Sequence, residues 1–158
     1  MADKVIKEKT KKDSKKVTAI KELKFLIKKT REDAVLPVYK TKGAACLDCY
    51  AAEDKWIWLK PKLVPLGFAL GLPEGYEAQM RGRSGLSLKG HYTELGTVDC
   101  DYRGEVSAIT WSLFPYKVKK GDRVCQMKIS KANQFKFEEV KTLDSTERGS
   151  GGFGSTGK

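Results

Sequence analysis

Apolar residues in this chain come in short alternations and runs, and turn chemistry interrupts each before it reaches the length of an ordinary helix. Leu23, Phe25 and Ile27 alternate with polar neighbours as an opening strand does, while Val17, Ile20, Leu23 and Ile27 also fit one face of a basic amphipathic helix. Pro37 soon afterwards and the β-rich remainder favour the strand. Ala45 to Ala51 forms a short apolar stretch around a single carboxylate, Asp48. Trp56 to Leu59 and Leu63 to Leu70 follow, broken by Pro61, Pro65 and Gly67. Tyr76 to Arg81 comes after the turn Pro73-Glu74-Gly75. Val106 to Leu113, Arg123 to Ile129 and Phe135 to Val140 complete the strands, with a marked turn at Lys119-Lys120-Gly121-Asp122. Only Ser84 to Lys89 suggests a helix, and it is too short to alternate with strands as a βαβ fold requires. The pattern predicts a single all-β barrel or sandwich.

At 158 residues the chain suits one domain of ordinary size. Its net charge of +11 is unevenly spread. Eleven Lys and Arg31 against Asp3, Glu8, Asp13 and Glu22 give residues 1–31 a net +8, which leaves +3 for the rest. The basicity belongs to a Lys-rich extension, expected to be disordered, and the body is not charged like a nucleic-acid-binding surface. No apolar run approaches the ~18 residues of a membrane span, and no apolar segment near the N-terminus resembles a secretory signal. Cys46 and Cys49 form a C-x-x-C, but a zinc site wants a second pair or histidines, and His91 is the only histidine. Reduced, packed thiols in an intracellular protein are the expectation.

Three segments of the body carry chemistry suited to a polyphosphate. Arg81-Gly82-Arg83-Ser84-Gly85 sets two guanidinium groups beside a hydroxyl and exposed backbone N–H groups, and a guanidinium forks two phosphate oxygens. Gly96 to Glu105 holds Asp99, Asp101, Tyr102 and Arg103; if extended, it points both carboxylates to one side, as a general base would need, and a hairpin with charged rims fits equally. Asp48, if buried, needs a partner, for which an arginine is the natural candidate.

The C-terminal Gly149 to Lys158 is glycine- and hydroxyl-rich, a composition that wraps anions and also describes a plain Gly/Ser tail. From Gly152 it copies the Gly-x-x-x-x-Gly-Lys spacing of a P-loop without the Ser/Thr and helix that should follow. The expectation is a flexible arm with phosphate-binding chemistry and one aromatic ring, Phe153.

Taken in order, these segments resemble the five motifs of the trimeric dUTPase family. Ala45 to Ala51 is similar to the first and Arg83-Ser84-Gly85-Leu86 to the second. Gly96 to Val106, around Asp-x-Asp-Tyr-Arg-Gly-Glu-Val, resembles the third, and Gly121 to Gln126 the fourth. Arg148 to Gly157 resembles the fifth. The resemblance spans about residues 22 to 158, leaving out the Lys-rich extension at 1–21, and implies a jelly-roll-like β-barrel subunit with one short helix at 22–145 and a Gly-rich arm at 146–158. It further implies a homotrimer with shared sites: one subunit supplies the first, second and fourth motifs, a neighbour the third, and the remaining subunit's arm the fifth.

By the same resemblance, the substrate is dUTP, hydrolysed to dUMP and pyrophosphate, which keeps uracil out of DNA and supplies dUMP for thymidylate synthesis. Asp99 would deprotonate the attacking water, and Tyr102 would sit under the deoxyribose. Gly96, Val98 and Ser107 would read the uracil edge. Arg83, Ser84, Gly85 and Gln126 would hold the phosphates, and Asp48 would support them. Arg148, Gly154, Ser155 and Thr156 would grip the γ-phosphate, with Phe153 stacked on the base. Mg²⁺ would be carried mainly by the triphosphate, with no direct protein ligand, and neither nucleic acid nor membrane would be required.

The chain departs from the family pattern at Cys46 (Gly in the family), Cys49 (Leu) and Gly82 (Pro), and it lacks the Asn expected near Trp111 to Pro115. Two other functions remain open on sequence: a dCTP deaminase of the same superfamily, and a binding protein that uses the basic extension on nucleic acid or membrane.

Overall fold

A computed structural model describes residues 23–152 and Ser155; the N-terminal extension with residue 22, Phe153, Gly154 and residues 156–158 lie outside the described residues. Eleven strands and one short helix are present among them. In chain order these are β1 (Leu26–Lys29), β2 (Leu47–Tyr50), β3 (Lys55–Ile57), β4 (Lys62–Pro65), β5 (Phe68–Gly71) and β6 (Tyr76–Arg81). Then come α1 (Ser84–Ser87), β7 (His91–Thr93), β8 (Gly96–Val98), β9 (Ser107–Ser112), β10 (Tyr116–Val118) and β11 (Arg123–Lys131). All pairings are antiparallel, in four sheets ordered β1-β5, β10-β3, β2-β11-β6-β8 and β4-β9-β7. The chain is all-β, as its pattern predicts. No helix among the described residues is long and apolar enough to cross a membrane.

Alternation along the strands builds the core. On β6, Ala78 and Met80 are buried while Arg81 is exposed; on β9, Ala108, Thr110 and Ser112 point inward and Ile109 outward. Phe68, Leu66, Val64, Val106, Val118, Cys49 and Cys125 are fully buried. The apolar stretch from Leu63 to Leu70 divides into two strands at the break its sequence marks, because the chain turns at Gly67 with φ +75°. A Cβ there would come within 2.4 Å of the Ala34 Cβ, so glycine is needed on both counts.

The opening strand is present as β1, shifted to Leu26–Lys29 and exposed along its length. The helix starts at Ser84 and ends at Ser87, earlier than expected. Leu59, at φ +42°, is the one described non-glycine residue with positive φ, so Cys46 occupies its glycine-like position without backbone strain. The expected strand Phe135 to Val140 does not form. Its apolar side chains lie open, Phe137 at 96% exposure, and among the described residues no strand lies beside this stretch to complete its hydrogen bonds.

Candidate active site

Strand β2 carries Asp48 into the sheet, where it is 5% exposed. Its register partner on β11 is Gln126, whose Nε2 donates to Asp48 Oδ1 at 3.1 Å. A register irregularity between Arg123 and Cys125 inserts one extra residue into β11 and re-aims Arg123. Its Nη1 then donates to Asp48 Oδ2 at 3.0 Å. Arg83, just ahead of α1, brings Nε to 3.8 Å from Asp48 Oδ1 and donates from Nη1 to the Arg123 carbonyl at 2.8 Å. Burial alone would raise the Asp48 carboxyl, but the hydrogen bonds from Gln126 and Arg123 and the charges of Arg83 and Arg123 outweigh it and hold it below its ordinary value.

Two guanidinium groups over one ionised carboxylate leave a net positive charge with unused N–H donors, a chemistry that suits phosphate oxygens. Ser84 and Gly85 are exposed at the start of α1, next to Arg83. Sequence reasoning singles out Arg83 and Gln126 here and passes over Arg123. The available signal was a second guanidinium in the segment opposite the one buried carboxylate.

The third segment lines a cleft of about 290 Å³, with Gly96, Val98, Asp99, Tyr102 and Ser107 all on its wall. β8 brings Gly96 against Met80 of β6, and β9 begins at Ser107. Between them the chain is not extended: the Tyr102 N–H donates to the Asp99 carbonyl at 3.2 Å, closing a turn through Cys100 and Asp101. The shared side expected for Asp99 and Asp101 in an extended strand therefore does not apply. Asp99 is exposed and makes no ion pair among the described residues, leaving its carboxylate available to a water molecule. Tyr102 folds back over its own loop and donates to the Glu105 carbonyl at 3.3 Å. A Cβ on Gly104 would stand 2.3 Å from that hydroxyl, so only glycine lets the ring lie there.

The two clusters are separate within one chain: none of Asp48, Arg83, Ser84, Gly85 and Gln126 lines the cleft that holds Asp99. The arm also bonds internally where it is described. Arg148 Nε donates to the Gly151 carbonyl at 2.9 Å, and the Ser155 N–H to the Gly152 carbonyl at 3.0 Å. The positions expected for Phe153, Gly154 and Thr156 fall outside the described residues.

The remaining reactive side chains have structural settings. His91 is bonded through Nδ1 to the Ser112 hydroxyl at 2.8 Å and stacks on Tyr116 at 3.8 Å. Cys49 and Cys125 face each other across β2 and β11 with no exposure. A hydrogen bond with Cys49, then burial, pushes the Cys125 thiol well above its ordinary value, which makes it a packed thiol and no nucleophile.

The dUTPase family model matches residues 32–157. A deoxyuridine 5'-triphosphate nucleotidohydrolase of Hydrogenobaculum is 48% identical over 143 residues, covering 85% of this chain and 99% of the relative. That of Fusobacterium nucleatum is 46% identical over 144 residues, covering 85% and 99%. Among solved structures, a mutant dUTPase of Staphylococcus bacteriophage 80alpha with dUpNHpp has a TM-score of 0.78 at 23% identity, covering 85% of this chain and 99% of that one. A dUTPase of phage phi11 of S. aureus, described with a structural Mg(II) ion, has a TM-score of 0.72 at 19% identity, covering 76% and 98%. The phage structures share the fold, and the family model with the bacterial relatives fixes the kinship: this chain belongs to the dUTPase family.

Proposed function

We propose that the chain hydrolyses dUTP to dUMP and pyrophosphate, with Asp99 as the base. The observation that carries this is the unpaired Asp99 carboxylate on the wall of a cleft it shares with Tyr102, Gly96, Val98 and Ser107. In this reaction Asp99 takes a proton from water as the water oxygen bonds to the α-phosphorus. The bond from the α-phosphorus to the bridging oxygen breaks, and that oxygen leaves with pyrophosphate. Tyr102 packs against the deoxyribose and leaves no room for a 2′-hydroxyl. Backbone groups at Gly96 and Val98, with Ser107, pair with the uracil edge, so a cytosine meets mismatched donors and acceptors.

Arg83, Ser84, Gly85 and Gln126 bind the phosphates, and Asp48 aims the arginine and glutamine. The donor set fits phosphate oxygens and not a metal cage. Both Asp48 oxygens already accept hydrogen bonds, and no group of three or more metal-ligating side chains assembles among the described residues. Mg²⁺ carried by the triphosphate would supply charge neutralisation for the leaving pyrophosphate, held against Arg83, Ser84, Gly85 and Gln126 through the phosphates.

The active unit is a homotrimer in which one subunit's phosphate cluster meets a neighbour's Asp99 cleft, and an arm, 146–158, closes over both. Two observations support this: the clusters are separate in a single chain, and Leu63 and Ile109, register partners on β4 and β9, are exposed together. In the closed state Arg148, Gly154, Ser155 and Thr156 hold the γ-phosphate and Phe153 covers the uracil. A panel of dUTP, dCTP, dTTP and UTP with Mg²⁺ tests the proposal by pyrophosphate release. dUTP is expected to turn over far faster than the others, and equal rates on all four, or ammonia release from dCTP, overturn it.

A further inference from the structure

The loop that carries Asp99 and Tyr102 ends at Glu105, and the Glu105 side chain is gripped from a distant part of the chain. Arg31 Nε donates to Glu105 Oε1 at 2.9 Å and Arg31 Nη2 to Glu105 Oε2 at 3.2 Å, a two-point fork. Thr30 Oγ1 adds a third hydrogen bond to Oε1 at 2.8 Å. The remaining Arg31 nitrogen, Nη1, donates to Glu53 Oε2 at 2.8 Å. The fork from Arg31 is the largest influence that keeps the Glu105 carboxyl below its ordinary value, with burial opposing it.

This grip reaches the cleft in two steps. Glu105 lines the cleft, and its backbone carbonyl receives the Tyr102 hydroxyl. Just past it the chain is fixed in the core, where the Val106 N–H donates to the Phe68 carbonyl at 2.8 Å. Tyr102, by contrast, is 47% exposed, and its ring is located by Gly104 beneath it and the Glu105 carbonyl at its tip. Without Arg31, the Glu105 side chain loses its two-point fork and keeps only weaker single contacts such as the Thr30 hydroxyl, so the peptide that holds the ring is less firmly fixed.

We infer that Arg31 is a positioning residue for Tyr102, acting through Glu105, and that it sets how strictly the site rejects a ribose 2′-hydroxyl. Arg31 lies one position ahead of residues 32–157 that match the family model. The inference rests on the proposal that Tyr102 packs against the sugar. A guanidinium is required because its fork fixes both carboxylate oxygens, which a single ammonium does not.

The test compares kcat/KM for dUTP and UTP in the full-length wild type and in Arg31→Ala, Arg31→Gln, Arg31→Lys and Glu53→Gln, with Tm and oligomeric mass recorded for each. In Arg31→Ala the dUTP:UTP ratio is expected to fall about tenfold or more, since small displacements of a positioning group carry costs of that order. KM for dUTP should rise more than kcat falls. Arg31→Lys should recover part of the ratio, and Glu53→Gln should leave it unchanged, because the fork to Glu105 survives. If Arg31→Ala does not fold, Arg31→Gln reads the same ratio. A wild-type ratio, within twofold, in a folded Arg31→Ala or Arg31→Gln overturns the inference, as does an equal loss in Glu53→Gln. A wild type that does not prefer dUTP to UTP overturns both this inference and the proposed function.

Discussion

Asp48 and Gln126 face each other across β2 and β11, and the amide of one donates to the carboxylate of the other at 3.1 Å. This contact, with Arg123 on the second oxygen, fixes the donors of the proposed phosphate site on one strand pair. Asp48→Asn keeps the shape but removes the charge that both arginines neutralise. It should lower stability by about 1.5–3 kcal/mol, the range for hydrogen bonds to a charged group, toward the low end because Arg123 is partly exposed. Denaturant melts check the stability, and KM for dUTP should rise in parallel. The pH dependence has a definite sign. The folded Asp48 value lies below the ordinary 3.8, so its contribution is intact above that value and is lost as pH falls through the folded value.

Asp99→Asn should leave dUTP binding nearly intact and slow turnover by at least about 10²-fold, the scale of a general base. The variant still fills the cleft but cannot take a proton. Equilibrium binding of a non-hydrolysable dUTP analogue beside single-turnover rates separates the two effects. Weak binding with unchanged single-turnover chemistry would assign Asp99 a holding role instead.

How far the sequence discloses this arrangement depends on the range of the interaction. Period-two patterning marked β6 and β9 because each residue's burial follows from its neighbours two positions away. The same patterning misled at Phe135 to Val140: alternation records that Phe135 and Phe137 suit a half-covered surface, not that a strand is present within the chain to pair with them. Asp48 was legible as a carboxylate in need of an arginine. Which arginine was not, because the irregularity in β11 decides where Arg123 points, and no local signal announces it. Arg31 and Glu105 lie 74 positions apart, and their fork exists only once β1 and β9 are both anchored around Phe68 and Gly67. The motif chemistry of Asp99, Tyr102 and Arg83 was readable because it is compact in sequence, while its division into two clusters came only through the family resemblance, which gives the third motif to a neighbouring subunit.

His91 gives a second pH prediction. Burial first, and Lys89 second, lower its value from the ordinary 6.5, so the folded state favours the neutral ring that bonds Ser112 and stacks on Tyr116. The unfolded chain then binds more protons between the lowered value and 6.5, and stability must fall as pH drops through that window. Above 6.5 the site contributes no pH dependence. Tm of the wild type should decline from pH 7.5 to pH 5.5, and His91→Gln should flatten that part of the decline while lowering Tm at pH 7.5. An unchanged slope in His91→Gln would place the titrating group elsewhere.

Deleting residues 146–158 should separate folding from catalysis. Where the arm is described, its hydrogen bonds run within itself, from Gly149 to Thr146, Gly151 to Arg148 and Ser155 to Gly152, and none of these ties it to the barrel core. Tm should therefore change by no more than a degree or two, since surface changes away from packed groups lie within about 0.5 kcal/mol. Activity should fall by about 10²-fold or more, because the deletion removes Arg148 and the backbone donors proposed to hold the γ-phosphate of the leaving pyrophosphate. Arg148→Ala alone should reproduce much of the loss if the guanidinium is the main contributor. A smaller effect would assign the remainder to the exclusion of water by the glycine-rich segment and Phe153. Native mass and dUTP turnover measured on the same preparations decide between a catalytic arm and a structural one: loss of turnover with the oligomer intact is the expected result, and dissociation of the oligomer would make the arm part of the assembly.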